Sequence, residues 1–124
     1  MNSENKLTEK EEETMLLLWE HGPCQVKDLV QYYDEPRPHI NTVSTFVRSL
    51  EAKGFVRHKQ GRYGSYSYYA VRKRDDYQRK ALSRLIGRYF GSCFSMVSQL
   101  VKDEEIDADQ LQQLIDMIEN KKHD

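Results

Sequence analysis

A chain of 124 residues is long enough for one domain, or for a small domain with an appended segment. Its composition, 38% hydrophobic and 31% charged, is typical of a small protein with much exposed helix, or of one whose core is completed by a partner chain. The longest apolar run, Met15 to Trp19, is too short to cross a bilayer, and the first residues do not resemble a signal peptide, so we expect a cytoplasmic protein without membrane insertion.

The net charge of −1 is unevenly distributed along the chain. Residues 1–36 carry −6, residues 37–74 carry +8 from nine Lys/Arg and one acid, and residues 75–124 carry −3. A basic segment between two acidic ones is typical of a site that binds a polyanion. A solvated charged surface is the alternative interpretation, which the near-absence of acids between 37 and 74 disfavours.

Two short helices are predicted first. Thr8 and Glu11 form a T-x-x-E capping box at the start of the first helix, which Gly22-Pro23 ends. The apolar face of this helix consists of Met15, Leu18 and Trp19, widened by Leu16 and Leu17. The second helix runs from about Val26 to Tyr33, and the loop DEPRP after it leaves Arg37 extended beside the next element.

The stretch from His39 to Gly54 is predicted to be an amphipathic helix with two functions. Its apolar side chains recur at three- and four-residue steps and are expected in the core: Ile40, Val43, Phe46, Val47 and Leu50. The remaining surface carries short polar side chains and one long cation: Asn41, Thr42, Ser44, Thr45 and Arg48. Short polar groups let a helix approach bases and phosphates, and an arginine can bind guanine through two hydrogen bonds. The stretch alone leaves open a DNA-recognition helix and an ordinary Ser/Thr-rich surface helix.

A basic β-hairpin is predicted after Gly54, where a left-handed cap residue is expected. The two strands, residues 55–59 and 66–71, are joined by a loop with Arg62-Tyr63 at its tip. Three helices followed by such a hairpin are the element order of a winged helix-turn-helix, in which the third helix reads DNA and the hairpin, or wing, lies along the phosphates. The tyrosines of the second strand are interpreted as packing residues rather than base-stacking ones: Tyr66, Tyr68 and Tyr69.

We therefore predict a mainly α fold with a small β-hairpin, divided into a winged-helix DNA-binding domain over residues 1–74 and a helical region over residues 75–124. The residues expected to contact DNA are Arg37, His39, Asn41, Thr42, Ser44, Thr45, Arg48, Lys53, Arg57, Lys59, Arg62 and Tyr63.

The segment from residue 75 onward is predicted to be helical, with Asp75 or Asp76 capping a helix to about Phe90, a break at Gly91-Ser92 and a last helix capped by Asp107. Its three apolar stripes are more than so short a segment buries alone, so we expect a homodimerisation region. A self-contained three-helix cap is the alternative. The residues expected at the dimer interface are Leu82, Leu85, Ile86, Tyr89, Phe90, Phe94, Val97, Leu100, Leu111, Leu114, Ile115 and Ile118.

The chain resembles the penicillinase-repressor family of bacterial repressors, the BlaI/MecI/CopY group, from about Leu7 to its end. The resemblance rests on the segments LTEKEEETMLLLW, NTVSTFVRSLEAKGFV, YSYYAV and SMVSQLVKDEEIDADQLQQLIDMI. It implies a dimeric winged-helix repressor whose N-terminal domain binds a palindromic double-stranded operator and whose C-terminal helices dimerise. It also implies which side chains face the major groove: Asn41, Thr42, Ser44, Thr45 and Arg48.

Three departures from the family pattern bear on mechanism. Ser44 stands where some relatives have Arg, so a different base preference is expected. Antibiotic-responsive members are cut by a membrane-linked sensor protease at an Asn-Phe bond. The equivalent bond here is Gln99-Leu100, which leaves open cleavage at this bond, cleavage at a shifted site and another mode of induction. Copper-responsive members end in CxC motifs, and this tail has no cysteine, so a Cu(I)-thiolate site is not expected.

No motif for catalysis, a cofactor or a metal is present, so we expect none of the three. The histidines are scattered along the chain: His21, His39, His58 and His123. Cys24 and Cys93 lack a CxxC context and are interpreted as small buried hydrophobic residues, with a disulfide or redox switch as the alternative. The other functions left open are a small-ligand-responsive winged-helix regulator and a winged-helix protein-interaction module.

Overall fold

The computed structural model describes residues 6–122 and consists of helices and one antiparallel hairpin. The elements are α1 (Glu9–His21), α2 (Val26–Tyr32), α3 (Ile40–Ala52), β1 (Val56–Gln60), β2 (Tyr66–Ala70), α4 (Arg74–Tyr89), α5 (Cys93–Lys102) and α6 (Ala108–Lys122). This confirms a mainly helical fold with a small hairpin. One compact unit ends at Gln78 and a second begins at Arg79, while the domain boundary predicted after residue 74 falls at the start of α4.

The core of the first unit is formed by the apolar faces of α1, α2 and α3 together with the start of the hairpin. Its fully buried apolar side chains are Met15, Leu18, Leu29, Val43, Val47, Leu50, Phe55 and Val56. Full burial of one such side chain stabilises a fold by about 1.5–3 kcal/mol. The sequence placed Ile40 and Phe46 in this core as well, but Ile40 is 42% exposed and Phe46 is only half-buried. They flank the Val43–Val47–Leu50 stripe on either side, so the core does not cover them.

The predicted capping box at the start of α1 is confirmed. The Thr8 backbone N–H donates to Glu11 Oε1 at 2.8 Å, and the Glu11 N–H donates to Thr8 Oγ1 at 3.2 Å. Glu11 is also buried, and it contacts the end of α3: the Lys53 ammonium donates to Glu11 Oε1 at 2.6 Å, and the Ser49 hydroxyl donates to Oε2. Burial acts to raise the pKa of Glu11, but the hydrogen bonds from Lys53, Ser49 and Thr8 outweigh it and lower the pKa to about 2.

The hairpin pairs Val56 with Ala70 and His58 with Tyr68, and Cys24 forms a single antiparallel bridge with Tyr68 of β2. The Cys24 N–H donates to the Tyr68 carbonyl at 3.1 Å, and the Tyr68 N–H donates to the Cys24 carbonyl at 2.8 Å. Cys24 is buried as expected. Cys93 is exposed, contrary to the prediction, because it is the first residue of α5, directly after the Gly91-Ser92 interruption between α4 and α5. Neither cysteine forms a disulfide.

The second unit contains α5, α6 and the C-terminal part of α4. The predicted cap at Asp107 is confirmed: its Oδ1 accepts from the Gln110 N–H at 2.8 Å, and its own N–H donates to Gln110 Oε1 at 3.0 Å. Asp75 and Asp76 do not cap α4, because the helix begins at Arg74 and both lie within its first turn. Across residues 6–122, no helix is both long and apolar enough to cross a membrane.

Candidate nucleic-acid interface

Helix α3 is fixed at both ends. At its start, Nδ1 of His39 accepts a hydrogen bond from the Asn41 N–H at 3.0 Å. At its end, Gly54 has a φ of +82°, as the sequence predicted; its N–H donates to the Glu51 carbonyl at 3.0 Å, and the Phe55 N–H donates to the Leu50 carbonyl at 2.9 Å. This pair of bonds is a Schellman motif, which ends the helix and directs the chain into β1.

The surface of α3 opposite its buried stripe is polar and exposed. Asn41, Thr42, Thr45 and Arg48 are exposed, and Ser44 is half-buried at the edge of this surface. Arg48 Nε donates to the Ser44 carbonyl at 3.3 Å, and no carboxylate within residues 6–122 forms an ion pair with Arg48. The terminal nitrogens of its guanidinium group therefore remain available for two parallel hydrogen bonds.

The tip of the wing is a single turn at Arg62–Gly64 that holds two side chains in solvent. Tyr63 is fully exposed and has a φ of +60°, which is unusual for a non-glycine residue. The turn is braced because Ser65 Oγ donates to the Arg62 carbonyl at 2.9 Å, and the Gly61 N–H donates to the Ser65 carbonyl at 2.6 Å. The exposed Arg62 and Tyr63 are therefore presented on an ordered turn.

One face of the hairpin lies beside α3, and the other faces away from it. Side chains alternate between faces along a strand, so the paired residues Arg57–Tyr69 and Lys59–Ser67 share one face, while His58–Tyr68 and Gln60–Tyr66 share the other. His58 Nδ1 lies 2.7 Å from Oε2 of Glu51, a residue of α3. The face that carries His58 is thus the one beside α3, whereas Arg57 and Lys59, which the sequence assigned to DNA, lie on the opposite face.

Two other cations that the sequence assigned to DNA have partners within the chain. Lys53 is bound to Glu11 and also donates to the Lys6 carbonyl at 3.2 Å. Arg37 forms an ion pair with Glu35 in the loop before α3. The pair that holds Arg37 is exposed and can exchange for a phosphate, while the pair that holds Lys53 involves a buried carboxylate and belongs to the core.

The structure also brings Lys27 beside the wing. An open groove of about 430 Å³ between the start of α2 and the wing tip is lined by Gln25, Lys27, Gly61, Arg62, Tyr63, Ser65 and Ser67. The sequence does not single out Lys27 as a candidate DNA contact, because Lys27 lies in the acidic first segment. It does not single out His58 and Tyr66 either, because only the strand register identifies the face of the hairpin beside α3. No cluster of potential metal ligands occurs in the described part of the chain.

Comparison with known proteins agrees with this geometry. The solved structure of the hsRosR-S1 complex is similar to the chain, with a TM-score of 0.57 and 14% sequence identity over 84% of this chain and 96% of that one. This likeness supports the winged-helix fold. A search of curated proteins found no match. The family profile of the penicillinase repressor matches residues 7–120. Because that match covers nearly the whole sequence, the chain belongs to the penicillinase repressor family of winged-helix, DNA-binding transcriptional regulators.

Proposed function

We propose that the protein is a homodimeric repressor that binds a palindromic operator, with α3 of each protomer in a major groove and each wing on the adjacent phosphates. The observation that carries the proposal is the exposed polar surface of α3, where Arg48 has no acidic partner among residues 6–122. A helix so exposed on one side and so well packed on the other can enter a groove without disturbing the core.

The proposed contacts fall into two groups. Base edges are read from α3 by Asn41, Thr42, Ser44, Thr45 and Arg48. Phosphates are bound from the N-terminal end of α3, the start of α2, the wing tip and the face of the hairpin beside α3 by Arg37, His39, Lys27, Arg62, Tyr63, His58 and Tyr66. Contacts to bases supply sequence preference, and contacts to phosphates supply affinity that depends on salt.

The proposed dimer is supported by the second unit, whose large apolar side chains are poorly buried. Leu82 is 50% exposed, Tyr89 70%, Phe94 81% and Ile118 57%. A second copy of the chain would cover such a surface, and a two-fold dimer would make the operator palindromic, with half-sites one helical turn or a multiple of it apart.

A gel shift tests this proposal. It measures binding of the protein to the promoter DNA of its own gene across a range of salt concentrations.

We expect Arg48→Ala to weaken operator binding by about 1–3 kcal/mol and to relax sequence preference, because a base contact is lost. Arg62→Ala should instead weaken binding about equally on all sequences and reduce the salt slope by about one. A folded dimer that gives no shift at low salt would contradict the proposal and leave the protein-interaction module as the better interpretation.

We also propose that repression can be relieved by a membrane-linked sensor protease acting at Gln99-Leu100. This bond lies within α5, and Gln99 Nε2 donates to Asp103 Oδ1 at 3.0 Å, so cleavage would require the helix to open locally. Intact-mass measurement on protein from derepressed cells tests this. A fragment that ends at Gln99 would support release by cleavage, and a full-length chain would point to another mode of induction.

A further inference from the structure

Trp19, the only tryptophan of the chain, lines an open groove on the first unit. The groove has a volume of about 390 Å³ and is lined by Leu18, Trp19, Gly22 and Pro23 from the end of α1 and the following turn, and by Lys59, Ser67, Tyr69 and Ala70 from the hairpin. This volume lies within the range of roughly 300–1,000 Å³ that is usual for small-molecule sites.

The groove lies on the side of the hairpin away from α3, and it meets the wing groove at Ser67, which lines both grooves. Lys59, Ser67 and Tyr69 lie on the face of the hairpin opposite His58, which is the residue that contacts α3. A ligand in the groove would therefore not occupy the space beside the polar surface of α3. Because Lys59 lies on the face of the hairpin away from α3, binding a ligand in this groove suits it better than contacting DNA.

The polar lining of the groove is suited to an anion. Lys59 contributes an ammonium group, 5.5 Å from the centre of the Tyr69 ring, and no lining residue is a carboxylate. Within residues 6–122, the side chains of Lys59, Ser67 and Tyr69 form no hydrogen bond to protein. The Trp19 indole N–H is already used, because it donates to the Arg72 carbonyl at 2.9 Å. One cation and two hydroxyl groups are thus left to bind a ligand.

The apolar lining is suited to a flat body. Leu18, Pro23 and the rings of Trp19 and Tyr69 supply it, and aromatic faces of this kind favour stacking with a ligand ring. We propose that this groove binds a small aryl carboxylate, with the carboxylate at Lys59 and Ser67 and the ring against Trp19 and Pro23. This function goes beyond DNA binding and does not depend on it.

Trp19 provides a direct test, because it is the only tryptophan and part of the proposed site. The full-length protein is titrated with 3-phenylpropionate, and with the neutral 3-phenylpropionamide as a matched probe, while tryptophan fluorescence is followed. We expect a saturable change with the acid and about tenfold weaker binding of the amide, because the amide loses the charge contact with Lys59. Lys59→Gln should weaken binding of the acid about tenfold and abolish the difference between acid and amide.

Arg57→Gln is the matched control, since Arg57 lies two residues away on the same face of β1 but does not line the groove. It should leave the affinity for the acid unchanged. No saturable change with the native protein, or equal affinities for Lys59→Gln, Arg57→Gln and the native chain, would overturn the proposal. Operator binding of the same samples is measured separately, so failure of the groove and failure of the repressor function are distinguishable.

Discussion

Glu11 joins the first turn of α1 to the last turn of α3, and its pKa lies well below the ordinary value of a glutamate. A carboxyl whose pKa in the folded state lies below its ordinary value stabilises the fold above that ordinary value. The stabilisation is lost as the pH falls through the folded pKa. For Glu11 the ordinary value is 4.5 and the folded value about 2, so the loss occurs between these two pH values.

We expect Glu11→Gln to lower the free energy of unfolding at neutral pH by about 2–3 kcal/mol, because the charge that binds Lys53 is removed. The variant should also lose less stability than the native protein on acidification below the ordinary pKa. Urea unfolding as a function of pH measures both effects. Glu9→Gln, a change in the same turn at an exposed residue, is the control and should behave as the native protein does; equal losses in the two variants would contradict the role of Glu11.

His58 and Arg57 are neighbours on β1 that face opposite sides of the hairpin. Because the His58 side lies beside α3, we expect His58→Ala and Tyr66→Ala each to weaken operator binding by about 1 kcal/mol, a factor of about five. Arg57→Ala should have a smaller effect. Fluorescence anisotropy with labelled operator DNA gives the ranking, and thermal unfolding of each variant verifies its fold. A larger loss for Arg57→Ala would favour the assignment made from the sequence.

At the residue scale, the sequence could predict most of the buried and exposed side chains of α3, Ile40 and Phe46 excepted, but not which side of the hairpin faces α3. The helical period alone separates Val43 and Val47 from Thr45 and Arg48. The side of the hairpin that meets α3 depends on packing between elements, which the alternation along a strand does not specify. The contact between Glu11 and Lys53 likewise cannot be predicted from the local sequence pattern, because the two residues are 42 positions apart.

Helix α3 illustrates how element ends could be predicted. The sequence predicts a stretch from His39 to Gly54, and the structure places the helix at Ile40–Ala52, with His39 as the N-cap and Gly54 directly after the C-cap residue Lys53. Gly54 identified the end because a positive φ favours glycine. The start of α4 was predicted less well, since two adjacent aspartates offered equivalent caps and neither is used.

We expect Gly54→Ala to lower the free energy of unfolding by about 1 kcal/mol, as its φ of +82° disfavours a side chain. Space does not limit this change, because an added Cβ would meet only Nη2 of Arg72, at 3.6 Å. Gly87→Ala is the control, and it should change the free energy of unfolding in the opposite direction. Gly87 lies inside α4 in open space, so alanine should stabilise the helix by about 0.5–1 kcal/mol. Chemical unfolding of the two variants compares them, and a loss of stability at both positions would contradict this reasoning.

At the scale of the whole molecule, the sequence indicated three apolar stripes after residue 75, and the structure leaves large parts of all three exposed. Their partner could not be predicted, because periodicity identifies an apolar face without identifying what covers it. Phe94 on α5 and Ile118 on α6 are among the most exposed of these side chains. They are therefore the positions at which a dimer interface can be tested without disturbing a core.

We expect Phe94→Ser and Ile118→Asp to raise the dimer dissociation constant at least about tenfold, because each removes apolar area from the proposed interface. Sedimentation velocity over a range of concentrations measures this. Gln113→Asp, on the opposite face of α6, is the matched control and should leave association unchanged. If both apolar variants dimerise as the native chain does, the self-contained three-helix cap is the better interpretation of the second unit.

The two free cysteines also make the protein suitable for site-specific labelling without mutation. Burial, and next the charge of Asp28, raise the pKa of the Cys24 thiol, which disfavours its reactive thiolate form. Cys93 is exposed at the start of α5. A maleimide probe should therefore attach to Cys93 alone in the native protein. In the proposed homodimer, this would place one spin label on each protomer, and the distance between the two labels could then be followed as operator DNA is added.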